Sequence, residues 1–194
     1  DPSSAPNEDF YVADASDPAN PSIVTGIDTG VGLNGVVIGG HYAYVIQNDN
    51  DHQLQVIDIS TPTAPVLIAS STLPNITFTC SGSIKCLAGR SIAYYGGRVY
   101  IGTEYLAFGA SGTNHELHVL CVSDTTVLGC SPTTPVWMGS VNVNHNVNSI
   151  AVSGSYAFLA TSDDVGELTV INISNPATMV IDPNMKYNAV TTSS

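Results

Sequence analysis

Apolar residues in this chain come in short runs that alternate with polar or small residues and stop at turn formers. The stretch LQVIDISTPTAPVLI, residues 54–68, holds the whole pattern: a strand, a Pro-punctuated turn and a second strand. Leu54 and Val56 fall on one face of the first strand, and Gln55, Ile57 and Ile59 fall on the other. Both faces are largely apolar, which predicts a strand covered on both sides by neighbouring sheets. No segment carries a convincing 3.6-residue period, so helix is expected to be scarce.

The same phrase recurs. FYVADASDPANPSIV begins at Phe10 and LTVINISNPATMVI at Leu168, while a looser copy, LHVLCVSDTTVLGCSPTTPVWM, begins at Leu117. A second phrase precedes the last three copies: GVVIGGHYAYVI from Gly35, SIAYYGGRVYIG from Ser91 and SIAVSGSYAFLA from Ser149. Each unit reads as two strands joined by a Gly-containing turn, a polar loop, a third strand, a Ser-x-Pro turn and a fourth strand. A four-strand unit recurring every roughly 40–58 residues is the period of a propeller blade, too long for a coil of a parallel β-helix. The prediction is an all-β, propeller-like array of four-stranded antiparallel blades forming a single domain over residues 1–194. A partial blade spans 10–30, full blades span 31–73, 87–142 and 146–182, and a tail follows from 183 to 194.

These residues resemble the LVIVD repeat, a propeller repeat family of bacterial and archaeal surface proteins. The likeness rests on Gly40 to Val45 with Leu54 to Pro65, and on Gly154 to Leu159 with Leu168 to Pro176. Phe10 to Pro21 matches the second half alone, and residues 91–140 match loosely, with Cys121 where the family has Asp. The resemblance implies a propeller fold and a surface or secreted location; it implies no catalytic residue. The strand count leaves three outcomes open: a ring that closes imperfectly, strands that lie outside this stretch, or strands supplied by a neighbouring chain.

Chemistry is thin along the chain. Asp14, Asp58 and Asn172 hold one repeat position, each followed two residues later by Ser; backbone-capping turns explain them better than a shared ion. The loops QNDNDHQ and SDDVGE gather carboxylates, so Asp49, Asp51, Asp163 and Asp164 are the candidate ligands for Ca²⁺, although neither loop has EF-hand spacing. No other cofactor is expected. HELH, from His115 to His118, looks like part of a zinc motif, but strand alternation at that spacing sends the two rings to opposite faces. Tyr105, Phe108, Asn114 and His115 lie on the long insertion at 103–116, the clearest departure from the repeat, and are the candidate binding residues. Asn75 heads a glycosylation sequon. Cys80 with Cys86 and Cys121 with Cys130 is the simplest of three disulfide connectivities.

Composition narrows the function classes. The chain is 43% apolar but only 10% charged, and its formal net charge is −12. Such a surface repels nucleic-acid backbones and anionic lipid. No apolar run is long enough to span a membrane. An even number of cysteines suits an oxidising compartment. The opening DPSSAPNEDF has neither Met nor an apolar stretch, as expected of a chain whose leader is absent. The expected function is a non-enzymatic extracellular or cell-surface module for protein association or adhesion, self-association and a surface filament included. The alternatives are a carbohydrate- or peptide-binding receptor domain and a hydrolase with a central-channel site.

Overall fold

A computed structural model describes residues 7–30, 32–47, 52–74, 89–105, 115–127 and 129–188. Their strands form three four-stranded antiparallel sheets and one hairpin. The hairpin pairs β1 (Phe10–Asp14) with β2 (Ser22–Ile27). The first full blade has the order β3 (Leu33–Gly39), β4 (Tyr42–Gln47), β5 (Leu54–Asp58) and β6 (Val66–Ser71). The second runs β7 (Gly89–Tyr95), β8 (Arg98–Thr103), β9 (Leu117–Cys121) and β10 (Val136–Val141). The third runs β11 (Val147–Ser153), β12 (Tyr156–Thr161), β13 (Leu168–Asn172) and β14 (Val180–Tyr187). A single 3-10 turn, Pro176–Thr178, is the only helical element among the described residues, in keeping with the missing 3.6 period.

Each full blade is a meander in which consecutive strands pair antiparallel in chain order. Gly40, Gly96 and Gly154 open the turns between first and second strands at φ 63°, 57° and 57°, a region that Cβ-bearing residues avoid. At the turns after β1, β5 and β13, the side-chain oxygen two residues back caps the Ser amide. Asp14 Oδ1 accepts from Ser16 N at 2.8 Å, Asp58 Oδ1 from Ser60 N at 2.8 Å and Asn172 Oδ1 from Ser174 N at 3.0 Å. The second blade has Cys121 at that position. Its cap moves to Asp124, which accepts from Thr126 N at 2.9 Å, and a disulfide joins Cys121 to Cys130 across the turn.

The last strand departs from the sequence reading: β14 runs to Tyr187, past residue 182 and into the stretch expected as a tail. Its pairing with β13 slips between the Ile171↔Ile181 and Thr169↔Lys186 partners. Pro183 lies inside that slip, on an edge strand, where a missing amide disturbs the ladder least.

The sheets stack face to face, giving three seams. In the first, Phe10 of the hairpin packs on Ala43, Val45 and Ile57 of the first blade. In the second, Tyr44, Ile46, Leu54 and Val56 meet Val99, Ile101 and Leu120 of the second blade. In the third, Tyr100, Leu117 and Val119 meet Ala157, Leu159 and Ile171 of the third. Strands β3, β7 and β11 lie side by side across the seams and form the inner edge of the stack. Polar side chains also step between them: Asn34 Nδ2 donates to the Gly89 carbonyl at 2.8 Å, and Ser91 Oγ to the Val147 carbonyl at 2.8 Å.

Candidate functional site

The described residues that flank the second-to-third and fourth-to-first strand connections lie at one end of each blade. A cap hidden in the repeat organises this end. In three of the units the residue just before the third strand reaches across to the backbone beyond the fourth. Asp9 Oδ1 accepts from Thr29 N at 2.9 Å, Gln53 Oε1 from Leu73 N at 2.9 Å, and Glu116 Oε2 from Val143 N at 2.7 Å and Asn144 N at 3.0 Å. Burial pushes the Glu116 carboxyl above its ordinary value against the pull of those two amides. Sequence reading missed this cap because Asp, Gln and Glu share the position; the only signal was a polar residue before each apolar third strand.

Asp163 and Asp164 part company. Asp163 is buried and its carboxylate is occupied: Oδ1 accepts from Val165 N at 2.9 Å, and Oδ2 lies 3.3 Å from Lys186 Nζ and 3.5 Å from His145 Nε2. The Val165 amide, with help from Lys186 and His145, holds this carboxyl below its usual range. Asp164 is exposed. Among the described residues no group of three or more His, Cys, Asp or Glu side chains converges as a metal would require. Asp49 and Asp51 lie outside the described residues.

The candidate binding residues do not form one platform. Tyr105 is 37% exposed and its ring sits 6.2 Å from that of His145, while its backbone amide donates to Asn146 Oδ1 at 2.7 Å. His115 Nδ1 instead meets Ser140 Oγ at 2.6 Å. His118, fully buried, donates from Nε2 to the His115 carbonyl at 2.7 Å, so the two histidines are fixed by separate partners. Phe108, Asn114, Asn75, Cys80 and Cys86 lie outside the described residues. Cys121 and Cys130 are bonded to one another as expected.

A different surface stands out at the two ends of the stack. On the inner edge of the first seam, Val36 and Ile38 of β3 are 53% and 54% exposed. Tyr11 and Ile23 of the hairpin are also exposed. At the opposite end, beyond the third blade, Leu168 and Tyr187 are exposed. Leaving large apolar side chains on a solvent face gains nothing for an isolated chain; a partner surface gives such patches a use. The inner strands β3, β7 and β11 carry no Asp or Glu, so they bring no carboxylate pair to the centre of the stack.

The LVIVD repeat model matches residues 34–72 and 145–186. The chain thus carries this repeat in its first and third blades, while the divergent second blade falls outside the match. Among solved structures it is similar to a protein from Lactobacillus plantarum, with a TM-score of 0.66 and 12% identity, over 92% of this chain and 49% of that one. The chain spans about half of that protein's length, and the likeness shows the fold alone. The β-propeller domain of Cps50 (Swd1) from Myceliophteria thermophila aligns with a TM-score of 0.34 and 13% identity, over 84% of this chain and 63% of that one. No curated protein matches the sequence. The face-to-face blades are those of a β-propeller. No helix among the described residues is long and apolar enough to cross a membrane.

Proposed function

We propose that this LVIVD-repeat propeller is a non-enzymatic module for protein–protein association, displayed outside the cell or at its surface. The observation that carries the reading is the pair of exposed apolar patches, Tyr11, Val36 and Ile38 on one side and Leu168 and Tyr187 on the other. Every other blade face of the stack is covered by a neighbouring sheet. Copies joined end to end would extend the same stacking, by a heterologous contact that closes into a ring or grows into a filament. The Cys121–Cys130 disulfide supports an oxidising location. The lack of carboxylates on the inner strands supports a role in contact rather than in hydrolysis.

Sedimentation of the purified chain from dilute to concentrated solution tests the reading. Reversible growth in mass is expected, and replacing Leu168 and Tyr187 together with Asp should weaken it at least tenfold. A chain that stays monomeric at every concentration would overturn it.

A further inference from the structure

The second and third seams differ at one repeat position. In the second, Tyr94 of β7 lays its ring against Tyr44 of β4, with centroids 5.5 Å apart and planes 8° from parallel. The Tyr94 hydroxyl reaches across to Ser123 Oγ at 3.2 Å. Gly39 makes room for this ring, since a Cβ there would stand 2.6 Å from it. The repeat phrases align Tyr94 with Ile38 and Val152, Tyr44 with Tyr100, and Ser123 with Ser174. In the third seam Val152 is too short to repeat the contact. Among the described residues no aromatic ring stacks on Tyr100.

A cavity of about 240 Å³ lies between the second and third blades, bordered by Tyr95, Arg98, Tyr100, Ser155, Ile173 and Ser174. Ile173 and Ser174 hold the repeat positions of Val122 and Ser123. The cavity therefore sits where the far end of a ring like that of Tyr94 would come. Tyr95 holds the position of Gly39 but leaves the space open: it is 43% exposed, and its hydroxyl accepts from Gly154 N at 3.3 Å.

We propose that this cavity is a binding site for a para-substituted phenol, which takes the place in the third seam that the Tyr94 side chain fills in the second. The inference goes beyond the association reading and does not rest on it.

The lining suits that chemistry. Tyr100 and Ile173, both buried, give an apolar wall, and a ring laid on Tyr100 gains stacking as well as burial. An apolar cavity of about 150 Å³ is enough to hold benzene, so a single substituted ring fits. Ser174 Oγ spends its own proton on Asn172 Oδ1 at 2.7 Å and keeps lone pairs to accept the phenol hydroxyl. The cation of the lining is already matched: Arg98 Nε donates to Asp124 Oδ2 at 2.9 Å. The site thus favours a neutral phenol over an anionic ring.

The test titrates p-cresol into the whole chain and follows it by two-dimensional amide NMR. Saturable shifts are expected at Gly96, Gly154, Ser155 and Ser174, in the millimolar range natural for so small a ligand. Toluene, which lacks the hydroxyl, and p-toluate, which carries a charge, should each bind at least about threefold more weakly. Val152→Tyr combined with Tyr95→Gly rebuilds the second-seam pair in the third seam and should abolish binding. Ser174→Ala should weaken binding at least about threefold. Asn172 still caps the amide of residue 174 in that variant, so its thermal melting should match the parent.

The inference falls if no shift saturates, if the shifts spread without regard to the cavity, or if toluene or p-toluate binds as tightly as p-cresol. It falls equally if binding survives in the refilled double variant, or in Ser174→Ala should the double variant fail to fold. N-acetyl-tyrosinamide separates two sources of the ring. Binding at least as tight as that of p-cresol assigns the site to a tyrosine side chain of a peptide, and binding of p-cresol alone assigns it to a free phenol.

Discussion

The first and second seams use the same repeat positions and end in opposite states. In the second, Tyr94 lies beneath Tyr44, which is fully buried; in the first, Ile38 at the equivalent place is 54% exposed. Ile38 is more apolar than Tyr94, so side-chain chemistry does not explain why it is the one left exposed. The presence of a neighbouring hairpin does. A blade face is stabilising only when a neighbour removes it from water, and the same phrase can therefore be core in one copy and contact surface in another.

The polar member of each seam sharpens the contrast. Gln55 in the first seam donates from Nε2 to the Thr29 carbonyl at 3.0 Å. His118 takes that repeat position in the second seam, and its Nδ1 is buried without a hydrogen-bond partner. Adding a proton to Nδ1 would place an unmatched donor and a charge in the core, so burial lowers the His118 pKa to about 4.

The comparison can be broken in three places. The largest effect is expected in the second seam: Tyr44→Ala removes a fully buried ring and should lower stability by about 3–5 kcal/mol in chemical denaturation. A loss below about 1 kcal/mol would mean that the seam is not a packed core. Next comes pH. Between about 6.5 and 4 the unfolded chain binds a proton at His118 that the folded chain refuses, so stability falls as pH falls through this window. The loss approaches about 3 kcal/mol at its lower end. His115 acts in the same direction and the raised Glu116 carboxyl opposes it. The lowered carboxyls of Asp14, Asp58, Asp124 and Asp163 begin to lose their contribution only at the acid end of the window, below about pH 5, and lose most of it beneath the window. His118→Gln, which copies the first seam, should flatten most of the slope in urea melts run across pH. The smallest effect belongs to the first seam: Ile38→Ala should change stability by no more than about 0.5 kcal/mol. A larger loss would show that this residue is already covered in solution.

How far the sequence carried depends on which physical constraint each residue reports. Leu54, Val56 and Ile57 report a strand with two covered faces, and their recurrence led to stacked blades. Asp14, Asp58 and Asn172 report a turn at their own position, so their capping role was legible from three local copies. The cap made by Asp9, Gln53 and Glu116 was hidden because any side chain with an acceptor oxygen of suitable reach can serve. Val36 and Ile38 carried no mark of their exposure, since alternation records that a residue is apolar and not whether its neighbour is present. Asp163 spends its oxygens on Val165, Lys186 and His145, and Tyr105 and His115 turn to different partners.

The cap before β9 has one more consequence. Thr103 N donates to the Glu116 carbonyl at 2.9 Å, while the Glu116 side chain anchors the crossing into the third blade. The insertion thus leaves and rejoins the scaffold through a neck clamped by two independent bonds. The two bonds hold the neck of the insertion to the sheets on either side. That makes the segment a natural graft point, where new recognition can be tried without redesigning the disc beneath it.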